Sequence, residues 1–116
     1  MRFTCCFLAA LLLFSFCPGS AAQSEATSQA EVAFRQADRE LNAVYASLLA
    51  RAKRRKIIGD IKAAQRAWLD FRDKEASVRA GVTSHGGSAY HMDYLANRAE
   101  LTRERTAQLR GLLRKL

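Results

Sequence analysis

Ala63-Ala64-Gln65-Arg66-Ala67-Trp68-Leu69-Asp70-Phe71-Arg72-Asp73-Lys74-Glu75 carries the single tryptophan of the 116-residue chain and reads as helix without a competing pattern. Ile61, Ala64, Trp68 and Phe71 recur at spacings of three, four and three, which is one face of a helix. Arg66, Asp70 and Lys74 step by four along the opposite face, where alternating charges support an exposed surface. Gln65 and Arg72 fall at the edges of the Trp68 stripe. The expected helix spans residues 60–80, with Asp60 at its start and Gly81 as its stop.

Upstream, Ser28-x-x-Glu31 has the form of a capping box, so a helix is expected from Ser28. Ala30, Phe34, Ala37, Leu41, Val44 and Leu48 then alternate spacings of four and three, a seam for packing on another helix. Asp38, Asn42 and Tyr45 line one flank of this seam. The helix closes in the basic run Arg51, Lys53, Arg54, Arg55 and Lys56, with Gly59 as a stop. A helix over 28–56 would have about 28 residues and measure roughly 42 Å.

Downstream, residues 82–87 form a loop in which Gly86-Gly87 marks a turn, and Ser88 is a cap for a third helix over 88–115. Its seam is Met92, Leu95, Ala99, Thr102, Thr106, Leu109 and Leu113. Leu101, Leu112 and Leu116 widen the apolar face, and Arg105 projects from within that widened sector. No stretch alternates in the manner of a strand, and no repeat is detectable. Three amphipathic helices with short links predict an all-α, elongated, antiparallel three-helix bundle with a thin core. A leftover apolar face leaves a homo-oligomer open.

The N-terminus has a different character. Arg2 precedes a mostly apolar run over residues 3–16, Pro18-Gly19 breaks it, and Ser20-Ala21-Ala22 supplies small residues. Residues 1–22 read as a secretory signal peptide cut after Ala22, and the apolar run is shorter than the roughly 20 residues a membrane span needs. A lipoprotein cut before Cys17 wants a small residue ahead of the cysteine, and Phe16 stands there. Residues 23–27 are small and polar and are expected to be a disordered leader to a single domain over 28–116. The localisation implied is exported, most simply periplasmic.

Cys5, Cys6 and Cys17 all lie in the leader, so a chain from Gln23 has no disulfide, thiol nucleophile or Cys-ligated metal. Without Arg2, 18 Lys and Arg stand against 11 Asp and Glu, a net charge of +7 that favours anionic partners at long range.

The candidate functional residues divide into three groups. Asp38, Asn42, Gln65, Arg72, Thr102 and Arg105 border the seams. They read as a polar network that sets helix register, in which Arg105 takes Asp38 or Asp73 as its carboxylate. The sharper reading is that the network presents Arg72 or Arg105 to a ligand carboxylate. The run Arg51, Lys53, Arg54, Arg55 and Lys56 reads equally as a binder of anionic polymer and as a solvated helix end. No aromatic residue interleaves it, and an exported chain meets envelope polymers first, so nucleic acid is not the expected partner. Trp68, Phe71, Leu41, Tyr45 and Leu109 read as core. His85, His91 and Asp93 have no recognised metal-ligand spacing. No nucleophile–base constellation is evident, so the expectation is a protein with no catalytic residues, metal or cofactor.

Three segments together resemble the lysozyme inhibitor LprI-like N-terminal domain family. They are Ala37-Asp38-Arg39-Glu40-Leu41-Asn42-Ala43-Val44-Tyr45, then Ala64-Gln65-Arg66-Ala67-Trp68-Leu69-Asp70-Phe71-Arg72-Asp73, then Leu101-Thr102-Arg103-Glu104-Arg105-Thr106-Ala107-Gln108-Leu109. The resemblance covers nearly all of the chain after the leader, and its middle segment is the most specific. It implies a small exported helical protein of the bacterial envelope, and the family name implies inhibition of a lysozyme-type cell-wall hydrolase; the mechanism expected is occlusion, with Arg72 or a basic side chain on the loop over 82–89 approaching an acidic catalytic cleft. The other reading is a basic helical module adhering to anionic envelope polymer or lipid headgroups. Family members commonly carry cysteines after the middle segment and before the third. This chain has Lys74-Glu75-Ala76 and Leu95-Ala96-Asn97-Arg98-Ala99-Glu100 there, so the resemblance implies a looser link between the second and third helices.

Overall fold

The computed structural model describes residues 19–116, and the expected signal segment with its three cysteines lies almost wholly outside them. Three helices follow in order: α1 (Gly19–Ala52), α2 (Ile58–Thr83) and α3 (Gly87–Leu113). Gln23 on α1 meets Ser88 at the start of α3, while Arg51 and Arg55 reach the carbonyl oxygens of Leu113 and Leu116 at its end. α1 and α3 therefore run parallel, and α2 runs back between their two ends. α1 and α2 each pack mainly on α3 and touch one another little. The bundle is all-α and elongated, as the periodicity predicts. None of the helices described is long and apolar enough to cross a membrane.

The boundaries differ from the sequence expectation for local reasons. Residues 23–27 are helix, not a disordered leader. The Thr27 and Ser28 hydroxyls donate to the carbonyls of Gln23 and Ser24 one turn back (2.9 and 3.0 Å), so Ser28 caps nothing. Ala26 and Met92 share a small apolar cleft there, giving the extra turns a surface to lie on. α1 stops at Ala52 rather than at Lys56. Four consecutive cations put Lys53 and Lys56 at i,i+3, a like-charge pair that disfavours helix, and the run forms a turn instead. Ile57 precedes α2, which places Gly59 inside the helix and Asp60 in the first turn, where its charge suits the dipole.

α2 also runs past Gly81 to Thr83. At the next junction Gly86 and Gly87 have φ of 110° and 72°, values that residues with a side chain rarely adopt. Gly86 thus opens α3, and Ser88 lies inside its first turn.

The core is tapered. Leu41, Leu48 and Leu109 form its fully buried centre near the C-terminal ends of α1 and α3, with Val44, Tyr45, Ile61, Trp68, Leu113 and Leu116 packed around them. Toward the other end Ala37, Ala76, Ala80, Leu95, Ala99 and Leu101 are buried, and small side chains let the helices close up. Thr102 and Thr106 are buried on α3, each with its hydroxyl donated to a carbonyl four residues back, so only their methyl groups face the packing.

α2 buries Gln65, Arg72, Ala76 and Ala80, with Ile61 and Trp68 half-buried along the same face. Relative to the apolar pattern the helix is rotated. Phe71, expected in the core, is 51 % exposed, and with Val78 and Val82 it forms an open apolar stripe. Leu109→Ala should cost about 2–5 kcal/mol, whereas Phe71→Ser should stay within about 0.5 kcal/mol of the parent; thermal denaturation of the two variants measures this rotation directly.

Candidate functional site

The rotation of α2 puts Arg72 at the junction of all three helices. Its side chain is only 6 % exposed. Nη1 donates to Asp38 Oδ1 on α1 at 3.2 Å and Nε to Asp73 Oδ1 at 2.8 Å. Its guanidinium carbon lies 5.3 Å from the ring centroid of Phe34 and 5.5 Å from that of Trp68. Arg98 on α3 continues the arrangement. It lies 4.1 Å from the Phe34 centroid and 5.3 Å from that of Tyr94, and its Nε donates to Asp73 at 2.9 Å. Arg105 stands 5.7 Å from the Trp68 centroid.

Cation and ring therefore alternate through the bundle in the order Tyr94, Arg98, Phe34, Arg72, Trp68 and Arg105. Each contact gains from the negative face of the aromatic ring, and more so where water is excluded. Asn42 joins at the edge, donating to Asp38 at 3.3 Å.

The sequence places Asp38, Asn42, Gln65, Arg72, Thr102 and Arg105 in one network, and the structure divides them: Asn42, Asp38 and Arg72 are hydrogen-bonded together, Gln65 and Arg105 form a separate pair, and the Thr102 hydroxyl turns to the Arg98 carbonyl. It corrects the partner expected for Arg105. Neither Asp38 nor Asp73 reaches that residue; Nε donates to Gln65 Oε1 at 3.2 Å and Nη1 to Gln108 Oε1 at 3.1 Å. The half-buried guanidinium has two amide oxygens and no carboxylate among the described residues, and burial lowers its pKa from the ordinary arginine value. The two carboxylates were already claimed, since Arg72 and Arg98 take both oxygens of Asp73 between them. Arg98 and Tyr94 escaped the sequence reading, although Tyr90, Tyr94 and Arg98 at i, i+4 and i+8 trace one face of α3.

Three other surfaces flank this spine. The α1–α2 turn projects Lys53, Arg54, Arg55 and Lys56 into solvent. Arg55 is tethered to the Leu116 carbonyl at 3.4 Å and Arg51 to that of Leu113 at 3.5 Å. Beside Arg105, a cleft of about 260 Å³ is lined by Ile57, Ile61, Leu109 and Leu112. Between α2 and α3 lies a larger open groove of about 590 Å³ with Leu69, Tyr90, His91 and Tyr94 in its walls.

The α2–α3 junction is clamped by polar contacts. Asp93 accepts hydrogen bonds from Thr83 Oγ1 at 2.9 Å and from the Ser84 hydroxyl, and Tyr90 shares a 2.7 Å hydrogen bond with Ser77. His85 and His91 lie on the loop and on α3 with no third ligand beside them: no group of three metal-binding side chains is found among the described residues.

Residues 17–109 match the family described as Lysozyme inhibitor LprI. The chain belongs to this family. It is also 37 % identical, over 89 % of its own length and 90 % of the other's, to an uncharacterised protein of Rhizobium meliloti (strain 1021). No solved structure matches the chain significantly.

Within this LprI-family chain the Arg72 junction is structural in its geometry, because the guanidinium is enclosed and its charge is answered on both sides. Arg72→Ala should cost about 2–4 kcal/mol, part of it the loss of pairing and part the loss of ring contacts. Arg72→Met, which keeps volume and removes charge, should recover much of that loss in chemical denaturation.

The clamp should respond to acid. Hydrogen bonds from Ser84 first and Thr83 second hold the Asp93 carboxyl below the ordinary carboxylate range. Its stabilisation is therefore complete above the unfolded aspartate value, about 3.9, and is lost as pH falls through the lower folded value. Amide exchange at Ser84 and His85 should accelerate in strongly acidic solution relative to that at Leu109, and Asp93→Asn should abolish the difference.

Proposed function

We propose that this chain is a non-catalytic exported protein that inhibits a lysozyme-type cell-wall hydrolase by occlusion. Its family membership supports the partner class, and the leader pattern of residues 1–22 supports export, most simply to the periplasm. Removal of the leader after Ala22 leaves α1 starting at Gln23, on the turns that lie beside Met92 and Ser88.

The observation that carries the mechanism is the division of the cations. Arg72 is enclosed and paired, and Arg105 is recessed beside a cleft, so neither extends into a partner's concave site. The α1–α2 turn is exposed and positive, and exposed Ile57 borders it. An exposed cationic turn is complementary in sign to a hydrolase cleft that holds catalytic carboxylates. The tethers from Arg51 and Arg55 to the end of α3 limit the freedom lost on docking, which favours affinity. With +7 on the chain from Gln23, an acidic hydrolase is favoured over a basic one through faster encounter.

The test is lysis of cell walls by lysozyme in the presence of the chain from Gln23 onward, at low and at physiological salt, with pull-down on walls alone as control. Inhibition that persists at physiological salt and occurs without wall binding is expected. Lys53→Glu combined with Arg54→Glu should weaken it about tenfold, mostly through slower association. Absent inhibition, or inhibition that tracks wall binding and disappears with salt, would overturn the proposal and point to adhesion to anionic polymer through the basic run.

A further inference from the structure

The groove between α2 and α3 borders the spine at Tyr94 and Asp73, and its lining has a distinct chemistry. Asp70 and Lys74 on its α2 wall form an ion pair at 2.8 Å. Asp73 is neutralised from behind by Arg72 and Arg98, at 2.8 and 2.9 Å. Each of the carboxylates and the ammonium group that line the groove thus has its own counter-charge. A charged ligand gains little here, because its would-be partner in the groove already has a counter-charge beside it that competes for the contact, and exposed ion pairs are weak.

The other wall is aromatic. Tyr90 and Tyr94 lie one turn apart on α3 with ring planes within 4° of parallel and centroids 6.4 Å apart. Both are fixed: Arg98 lies over Tyr94, at 5.3 Å from its centroid, and the Tyr90 hydroxyl is bonded to Ser77 at 2.7 Å. At about 590 Å³ the groove lies within the range of small-molecule sites, roughly 300–1,000 Å³. A purely apolar ligand would displace water from Asp70 and Lys74, each of which keeps hydrogen-bonding capacity beyond its one partner, without replacing those bonds.

We infer that this groove is a binding site for a neutral, polyhydroxylated ligand, namely a short oligosaccharide. Its ring C–H faces lie along Tyr90 and Tyr94, and its hydroxyl groups exchange hydrogen bonds with the paired Asp70 and Lys74. Two parallel rings held one helical turn apart suit successive residues of a linear glycan. The site is independent of the α1–α2 turn, and the inference does not rest on hydrolase inhibition.

The experiment is amide NMR titration of the chain from Gln23 with chitotriose, cellotriose and maltotriose, at low and high salt. At least one of these sugars is expected to shift the amides of Leu69, Ser77, Tyr90 and His91 at millimolar concentration, with an affinity that salt leaves within about twofold, since no charge pair is formed. Tyr94→Ala should weaken binding about tenfold through loss of one aromatic contact. Because Tyr94 also supports Arg98, Leu69→Arg is the second variant: position 69 is exposed enough to accept a long side chain, which would obstruct the groove without disturbing the core. The inference is overturned if none of the three sugars shifts these amides, if the shifts map to residues 53–57, if binding falls steeply with salt, or if both variants bind as the parent does.

Discussion

Arg72 is the constraint on which the bundle turns. A guanidinium cannot be enclosed unless its charge is answered and its planar faces are covered. Here Asp38 comes from α1, Asp73 from the same helix, Phe34 from α1 and Trp68 from one turn before. These demands fix the rotation of α2 about its axis and its height against α1, although α1 and α2 otherwise share little surface. A core of aliphatic side chains tolerates sliding by one turn. A planar cation that must meet a carboxylate from another helix does not, so the polar junction supplies register while Leu41, Leu48 and Leu109 supply most of the hydrophobic free energy.

The same junction separates the molecule into regions of different character. On the Leu109 side the helices are held by large apolar groups and end in a positive turn. On the other side alanines bring them close, and hydroxyl–carboxylate and hydroxyl–hydroxyl contacts hold the α2–α3 junction: Thr83 and Ser84 on Asp93, Ser77 on Tyr90. This second region is where the family resemblance implies a disulfide in relatives and a looser link here. With no cysteine among the described residues, the chain carries several polar contacts and a pair of positive-φ glycines in that region.

Much of this architecture is legible from residue spacing. The seams of α1 and α3 follow the three–four pattern, and every buried leucine but Leu101 lies on a predicted seam. The errors of helix facing concentrate on α2. Hydropathy puts Gln65 and Arg72 at the edges of the apolar stripe and Phe71 within it, because a single helix gives no sign that its neighbours hold acceptors for a buried arginine. Part of the membership of the polar network was readable from its position at the seam edges. Its pairing was not: Arg105 went to Gln65 rather than to a carboxylate because Arg98, a residue that looks like ordinary surface in the sequence, had joined Arg72 on Asp73. Helix ends were missed where a serine followed by a glutamate mimicked a cap, and where a run of cations unwound a turn that periodicity would have continued.

The parallel course of α1 and α3 has a kinetic meaning. Contacts between them join residues 61 to 70 positions apart, from Gln23 with Ser88 to Arg55 with Leu116 and Glu40 with Arg110. In a helical hairpin neighbouring elements can zip together as they appear, but here the principal interface of α1 is with the helix made last. α1 and α2 alone have little to hold each other, so α1 gains its main partner only when α3 is complete. A polypeptide of this design gains most of its long-range contacts only when nearly its whole length is available, so its assembly is set by the last helix rather than element by element.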